Sequence, residues 1–228
     1  MRAVGVHADV IVVVSQVWQT TCTVVRAGGE GFVVDSPVLP TELDALPALL
    51  EQSGFPVSGL LATHADWDHL LGRLAFPDTA LGVAETTAAR LRAEPGAAAR
   101  ELRAFDAQWY LRRPRPLTLG EVQALPVPGH VELGGAELEL HPADGHTVDG
   151  MAVLVPWAGV LCAGDYLSPV EAPSAVDADA YLATLRRLRA LVERVDTVVP
   201  GHGEPVGRER ALEVLADHEA QVSRGGSR

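Results

Sequence analysis

The sequence predicts a mixed α/β fold, built as one domain that spans residues 1–228. Short β-branched runs alternate with segments of helical periodicity, a pattern typical of sheets covered by helices. A chain of this length is long enough to bury a large core. Hydrophobic residues make up 47% of the chain and aromatic residues only 5%, which indicates an aliphatic interior. Pattern and composition alone establish no finer architecture.

The first third of the chain predicts strands, one helix and a loop rich in polar residues. Apolar and β-branched runs predict strands at 10–14, 21–26, 32–35 and 57–62. Leucines recur at helical spacing after Thr41, which predicts a helix over 41–51 with Thr41 as its N-cap. The strand that ends at Ala62 leads into the polar loop, and α/β sheets bind ligands beyond such strand ends.

The remaining elements follow from the same periodicities and from glycine and proline breaks. A helix is predicted to begin within 70–76, and later helices are predicted at 85–92, 97–107, 177–194 and 207–222. Strands are predicted at 80–83, through 117–163 with a hairpin turn at Gly134-Gly135, and at 197–200. His218 falls on the polar side of the last helix and is expected in solvent. The tail at 223–228 is expected to fray.

The polar loop contains the motif H-x-D-x-D-H, formed by His64, Asp66, Asp68 and His69. Imidazole nitrogens and carboxylate oxygens are the ligands that divalent transition metals bind. Spacings of one or two residues in an irregular loop let neighbouring side chains reach two nearby metal positions. The motif therefore predicts metal binding, and an acidic surface loop with two incidental histidines is the alternative.

Three further candidate ligands, His146, Asp165 and His202, each stand beside a glycine just after an extended segment. Tight backbone at glycine leaves such a side chain free to point into a site. Their segments G-H-T, G-D and G-H-G follow the first motif in the order found in the metallo-β-lactamase-fold superfamily. The chain resembles that family from Asp35 to His202.

The resemblance implies a four-layer αβ/βα sandwich, the metallo-β-lactamase fold, with two divalent metal ions as cofactors. It assigns one ion to His64, Asp66 and His146, the second ion to Asp68, His69 and His202, and a bridging position to Asp165. The metal is expected to be zinc, with manganese or iron open. Asp35 matches an aspartate near the family's metal loop and is expected to orient a ligand, with a plain strand-ending turn residue as the alternative.

The activity that the resemblance implies is hydrolysis of an ester, thioester or lactone carbonyl in a small molecule. A hydroxide held between the two ions would attack the carbonyl, which the ions polarise. Asp68 would orient this water and accept its proton, which makes it the candidate catalytic residue. A covalent nucleophile is not expected, because Ser168 and Cys162 have no neighbouring base in the sequence.

The sequence departs from the family pattern at one position, because Asp66 stands where the family has the second histidine of its motif. Two divalent ions, three carboxylates and one hydroxide carry no net charge, whereas the family pattern retains one positive charge. The extra carboxylate would weaken the ions as Lewis acids, favour manganese or iron, and make the site less attractive to anions. We therefore expect a neutral or weakly charged acyl substrate.

Two alternative functions remain open. Persulfide dioxygenases of the same superfamily bind a single iron through positions that correspond to His64, His146 and Asp165. That set is compatible with a residue other than histidine at position 66. The second alternative is a non-catalytic protein that keeps the fold.

One segment leaves its role open. Residues 108–116 combine aromatic residues with arginines and prolines, and family members place substrate-contacting insertions in this region. A surface connector is the favoured interpretation, and a pocket wall is the alternative. The side chains concerned are Trp109, Tyr110, Arg112 and Arg113.

The formal net charge of −12 argues against nucleic acids and anionic membranes as partners. The expected partner is a small-molecule substrate, and a homodimer is left open. All 18 basic residues are arginine, so no lysine is present to bind a substrate carboxylate, a role it has in some family members. The chain shows neither a membrane span nor a recognisable signal peptide, so a cytoplasmic enzyme is expected. Cys22 and Cys162 are expected to be buried free thiols.

Overall fold

The structure, a computed structural model, describes residues 1–225 and has the four-layer αβ/βα architecture that the resemblance implies. Two β-sheets face each other, and helices cover the outer side of each. The seven-stranded sheet comprises β1 (Arg2–His7), β2 (Val10–Val14), β3 (Thr21–Ala27), β4 (Glu30–Asp35), β5 (Gly59–Ala62), β6 (Leu81–Ala84) and β7 (Val122–Leu125). The six-stranded sheet comprises β8 (Gly129–Leu133), β9 (Ala136–Pro142), β10 (Met151–Val155), β11 (Val160–Cys162), β12 (Thr197–Val199) and β13 (Val206–Gly207).

Six α-helices lie within the described part of the chain. They are α1 (Pro40–Gln52), α2 (Gly72–Ala75), α3 (Glu85–Ala93), α4 (Ala97–Gln108), α5 (Ala178–Val192) and α6 (Arg208–Gly225). The first four pack on the seven-stranded sheet, and the last two pack on the other sheet. None of the helices in residues 1–225 combines the length and the apolar character needed to cross a membrane.

The strand order brings several loops to one edge of the sandwich. In the first sheet the strands follow chain order, antiparallel from β1 to β4 and parallel from β4 to β7. In the second sheet β12 runs parallel to β11, while the other neighbours are antiparallel. The backbone N–H of Thr21 donates to the carbonyl of Gly201 at 2.7 Å and joins the two sheets here. The loops after β5, β11 and β12 meet at this edge.

Aliphatic side chains fill the three spaces between the layers, as the composition predicts. The central space, between the sheets, is lined mostly by valine and leucine, including Val12, Val34, Leu138 and Val153. Each such side chain contributes about 1.5–3 kcal/mol when it is fully buried. The two cysteines are free and buried, which confirms the prediction. Burial raises the pKa of Cys162 to about 12, so this thiol stays neutral.

The sequence missed two edge strands and misplaced one helix start. β1 lies at the sheet edge with mostly exposed side chains, so its sequence lacks the apolar alternation that marks a strand. β13 has only two residues. The first helix begins at Pro40, so the predicted N-cap Thr41 is wrong. The carboxylate of Glu42 accepts the backbone N–H of Leu39 at 3.1 Å and satisfies this end of the helix instead.

Helix α6 differs from the prediction at His218 and at its end. His218 is only 4% exposed, because α6 packs on α5 and the Tyr181 hydroxyl lies 3.4 Å from its Nδ1. Burial lowers the pKa of this histidine. Residues 223–225, predicted to fray, form the last turn of α6, and the rest of the predicted tail, 226–228, lies outside the described residues.

Candidate metal centre

The structure brings all seven predicted metal ligands together at the edge where the loops meet. The loop after β5 supplies His64, Asp66, Asp68 and His69, the last two within a short 3-10 turn, Trp67–His69. The loop after β9 supplies His146, and the loops after β11 and β12 supply Asp165 and His202. Four chain segments that are distant in the sequence therefore converge on one centre.

The first group of possible ligand atoms consists of His64, Asp66 and His146. Oδ2 of Asp66 lies 3.7 Å from His64 Nε2 and 3.8 Å from His146 Nε2. The ligand atoms of the three residues all lie within 4.8 Å of one another. One divalent ion with bonds of about 2.0–2.2 Å to nitrogen and oxygen fits between atoms at this spacing.

The second group consists of Asp68, His69 and His202. Oδ2 of Asp68 lies 3.6 Å from His69 Nε2 and 3.5 Å from His202 Nε2. These three residues are buried, and their ligand atoms also lie within 4.8 Å of one another. The group offers a second position for an ion.

Asp165 lies between the two groups. Its Oδ2 is 3.2 Å from His146 Nε2 and 3.3 Å from His202 Nε2, while its Oδ1 is 3.1 Å from His69 Nε2. One carboxylate thus faces imidazoles of both groups, as a bridging ligand would. The side chain is only 11% exposed.

Asp35 orients two of the histidines. Its φ of +59° turns the chain at the end of β4, and its carboxylate accepts hydrogen bonds from the Thr63 amide at 2.8 Å and the Thr63 hydroxyl at 2.9 Å. It also accepts from His69 Nδ1 at 3.0 Å. Because the Thr63 hydroxyl donates to Asp35, it accepts from His64 Nδ1, which lies 3.0 Å away.

Carbonyl oxygens orient the other two histidines in the same way. His146 Nδ1 donates to the carbonyl of Ser174 at 2.8 Å, and His202 Nδ1 donates to the carbonyl of Trp18 at 3.2 Å. A carbonyl can only accept, so each ring carries its proton at Nδ1 when neutral. In their neutral form all four imidazoles therefore present a lone pair at Nε2, the state that a metal ligand requires.

Unpaired buried atoms show that the centre fits a cation. Within residues 1–225, seven buried side-chain nitrogen or oxygen atoms have no hydrogen-bond partner. Four of the seven belong to this centre: Nε2 of His64, His69 and His146, and Oδ1 of Asp165. Buried polar atoms are almost always paired in folded proteins, so this concentration indicates that something else binds them. Imidazole and carboxylate donors suit zinc, manganese or iron.

The close packing of imidazoles and carboxylates in this centre also shifts their pKa values. Burial opposes charge on His146, yet Asp165 and Asp66 raise its pKa to about 10. Burial likewise opposes charge on His69, but Asp165, Asp68 and Asp35 hold its pKa well above the usual value. Burial would raise the pKa of Asp165, and His69, His64 and the other imidazoles hold it well below its usual range. A divalent cation would replace protons at this centre.

The sequence did not indicate Arg90 and Asp149, which the structure places beside Asp66. Arg90, on α3, directs Nη2 to Asp66 Oδ1 and Nη1 to Asp149 Oδ1, each at 2.9 Å. Asp149 was visible only as an aspartate three residues after His146, and Arg90 stands in a helix with no motif around it. Neither position carries a local signal of metal chemistry.

Arg90 and Asp149 together leave the charge balance inferred from the sequence unchanged. The guanidinium of Arg90 lies beside Asp66, but it also pairs with the buried carboxylate of Asp149 at 2.9 Å. These two groups add one positive and one negative charge, so the sum stays at zero. The expectation of a neutral or weakly charged substrate is therefore not altered by Arg90.

Exposed apolar side chains border the centre. The large exposed apolar residues within residues 1–225 are Trp18, Trp109, Tyr110, Val148, Val170 and Val176. Trp18 belongs to the segment whose carbonyl binds His202, and Val148 follows His146 by two residues. The amide of Val176 donates to the carbonyl of Gly145 at 2.9 Å. The exposed side chains of Trp18, Val148 and Val176 thus lie next to His146 or His202, and we call these three the apolar rim.

Aromatic contacts join the 108–116 segment to this rim. The Trp18 and Trp67 rings are 5.7 Å apart between centroids, and both contact Phe105. The ring of Trp109 lies 6.4 Å from Phe105 and is 60% exposed. Arg113 instead forms a bidentate pair with Asp106, at 2.8 and 3.0 Å, and fixes the segment to α4. The segment is thus a connector fixed to α4, and its Trp109 ring reaches the Phe105 ring that also contacts Trp18.

The sequence matches the family profile of the metallo-beta-lactamase superfamily over residues 15–202. It is also 30% identical over 119 residues to the metallo-beta-lactamase type 2 of Bacteroides fragilis. That match covers 46% of this chain and 46% of the relative, so it spans less than half the length of the relative.

Solved structures share the fold over most of the chain. DIM-1 metallo-beta-lactamase exposed to ceftazidime gives a TM-score of 0.70 at 18% identity, covering 98% of this chain and 97% of that one. A metallo-beta-lactamase family protein from Thermus thermophilus gives 0.67 at 24% identity, covering 90% and 76%. The metallo-beta-lactamase from Pontibacter korlensis gives 0.67 at 16% identity, covering 97% and 98%. These similarities concern the fold.

Proposed function

Because the chain belongs to the metallo-beta-lactamase superfamily, we propose that it is a metal-dependent hydrolase of an ester, thioester or lactone in a small apolar molecule. The observation that supports this most is the common orientation of four histidines. Each is held at Nδ1 by an oxygen acceptor and directs Nε2 toward shared carboxylates. Such preorganisation is the form that a metal site takes before the metal binds.

The two groups described above would each hold one divalent ion. The first ion would bind His64, Asp66 and His146, the second would bind Asp68, His69 and His202, and Asp165 would bind both. When bound, the ions would activate water as a nucleophile at neutral pH and polarise the substrate carbonyl.

Asp68 is the candidate proton acceptor. Its Oδ2 faces the imidazoles of His69 and His202, which leaves Oδ1 to orient a water molecule and accept its proton. The side chain is 9% exposed, and the Ser36 hydroxyl donates to the Asp68 carbonyl at 3.2 Å and fixes this part of the loop. A fixed carboxylate beside the reacting centre suits general base catalysis.

The apolar rim supports the acyl substrate class. Apolar side chains exposed around a polar centre bind the hydrocarbon part of a ligand while the polar groups act on its carbonyl. Trp18 contributes half of its surface to solvent at this rim, and Val148 is 71% exposed. The rim is therefore the reason to expect a substrate with an apolar acyl group, and the charge count is the separate reason to expect a neutral one.

Hydrolysis of β-lactams is a second candidate, favoured by the similarity to the Bacteroides fragilis enzyme. β-Lactam antibiotics carry a carboxylate that the enzyme must bind. The chain has no lysine, and the arginine beside the centre, Arg90, is already paired with Asp66 and Asp149. We therefore rank esters, thioesters and lactones above β-lactams.

A single-iron dioxygenase is less well supported. It would use His64, His146 and Asp165 and leave His69 and His202 without a metal. Yet His69 is fully buried with its Nδ1 bound to Asp35, and His202 is oriented by the Trp18 carbonyl. Orientation of these two rings toward Asp165 favours two metal ions.

Elemental analysis of protein purified without chelator or added metal tests the proposal. We expect about two zinc or manganese ions per chain, and hydrolysis of at least one member of a panel of aryl esters, acyl thioesters and lactones. A chromogenic β-lactam is assayed in parallel. About one iron per chain, or no metal even after reconstitution, would contradict the proposal.

Trp18→Ala is expected to weaken the binding of esters with long acyl chains and to spare esters with short ones. Loss of this rim ring should raise KM for an octanoyl ester about 3- to 10-fold and leave KM for the acetyl ester unchanged, because only the long chain reaches the rim. Tyr110→Ala is the control, since Tyr110 is 93% exposed. Equal effects of Trp18→Ala on both esters would argue against an acyl-binding rim.

A further inference from the structure

Arg90 lies between two carboxylates, that of the proposed metal ligand Asp66 and that of the buried Asp149. The guanidinium binds Asp66 through Nη2 and Asp149 through Nη1, both at 2.9 Å, and its Nε lies 3.8 Å from Glu94 Oε2. The side chain is 20% exposed, so water screens these pairs only in part. The guanidinium is planar and always charged, and it fits two carboxylates at once in a way that lysine does not.

Asp149 connects this arginine to the metal loop. It is 1% exposed, and its second oxygen accepts the backbone N–H of Ala65 at 3.0 Å. Ala65 lies between His64 and Asp66. The contacts of Asp149 with Arg90 and with the Ala65 amide therefore fix the backbone of the metal loop between two of the proposed ligands.

Arg90 also decides which oxygen of Asp66 is available. Oδ1 of Asp66 is bound to the guanidinium, while Oδ2 faces Nε2 of His64 and His146 at 3.7 and 3.8 Å. Only one oxygen is directed at the metal position. A carboxylate held in this way offers one donor atom, as an imidazole does.

We propose that Arg90 is a positioning residue that binds Oδ1 of Asp66, so that this carboxylate offers the metal a single donor atom, Oδ2. This inference rests on the proposed metal binding at the first group. It explains how Asp66 can stand where the family has histidine and still offer one donor atom to the metal. A histidine could then replace Asp66 without loss of metal binding only if Arg90 were replaced as well.

The family's motif alone would indicate that a histidine at position 66 improves metal binding, and we expect the opposite. Asp66→His restores the family's residue, yet it should weaken metal binding, because Arg90 then loses one of its two close carboxylate partners while its positive charge stays beside a divalent cation. We expect the more affected of two bound zinc ions to dissociate at least about 10-fold more readily, within the range seen when the surroundings of a ligand are disturbed.

A second substitution should reverse this effect. Asp66→His/Arg90→Gln removes the guanidinium from beside the metal position and is expected to bind zinc within about 3-fold of the unchanged protein, and tighter than Asp66→His alone. Asp66→His/Arg90→Lys keeps the charge and should stay weak. Asp66→His/Arg92→Gln is the matched control, since Arg92 is exposed on the same helix, and it should bind as Asp66→His does. If Arg90 served only to hold the structure together, its loss would weaken binding further.

The measurement is zinc affinity by competition with a chromophoric chelator, with no substrate present. Arg90→Gln leaves the buried Asp149 without its arginine, so thermal unfolding in chelator checks the fold of each variant. Adding Asp149→Asn to the double variant removes that buried charge and should preserve the recovery. Unchanged zinc affinity in Asp66→His, or no recovery of zinc affinity on the further loss of Arg90, would overturn this inference but not the proposed function. If the unchanged protein bound neither zinc nor manganese, the proposed function would fall with it.

Discussion

Replacing Gly201 with alanine is expected to lower hydrolytic activity by at least about 100-fold, because misplacement of a reacting group by about 1 Å costs that much. A Cβ at position 201 would overlap Oδ1 of Asp165 and would lie 3.1 Å from the carbonyl oxygen of Gly164. Asp165 would have to leave its place between the two ligand groups. Both proposed ions would lose the ligand that they share.

The backbone around Gly201 has little freedom to relieve this overlap. Its N–H donates to the carbonyl of Gly164 at 2.6 Å, and its own carbonyl accepts from Thr21 at 2.7 Å. Overpacking at such a place costs about 1–3 kcal/mol. At about 2–4 °C per kcal/mol for a chain of this size, the melting temperature should fall by about 2–12 °C.

Metal content, activity and thermal unfolding of Gly201→Ala test this together. Gly5→Ala is the control, since a Cβ at that position meets no atom within 4 Å and should change none of the three quantities. An active Gly201→Ala protein with two bound ions would show that Asp165 is not the shared ligand.

The seven candidate ligands were predictable because each lies in a motif that the sequence displays by itself. His64, Asp66, Asp68 and His69 are within six positions, and the other three follow strand ends beside glycine. The predicted strands alone did not bring them to one centre, because the loop after β5 belongs to one sheet and the loops after β9, β11 and β12 belong to the other. The family resemblance supplied that step. What could not be predicted are contacts that depend on the packing of one element on another.

Arg90 is the main example of such a contact. It stands 24 residues after Asp66, and its pairing requires α3 to pack with one particular face toward the metal loop. His218 is a second example. Its place on the polar side of the last helix predicted a solvated side chain, yet α5 covers the histidine and buries it beside Tyr181.

Replacing Asp35 with alanine is expected to destabilise the fold and weaken metal binding. Asp35 is 6% exposed and accepts three hydrogen bonds, from the amide and hydroxyl of Thr63 and from His69 Nδ1. Each donor left unpaired in the interior costs about 1–3 kcal/mol, so a loss of at least about 3 kcal/mol is expected. Thermal unfolding in chelator should show a melting temperature lower by at least about 6 °C.

Asp35→Asn separates the two roles of this residue. Asparagine has nearly the same size and tolerates the positive φ at this position, so the fold should be less affected than by alanine. Its amide group can still accept the Thr63 amide hydrogen, but its NH₂ cannot accept from the Thr63 hydroxyl or from His69 Nδ1. His69 then loses the partner that keeps its Nε2 lone pair free, and zinc affinity at the second group should fall about 10- to 100-fold. A stable Asp35→Asn protein with unchanged zinc affinity would leave Asp35 as the plain turn residue that the sequence equally allowed.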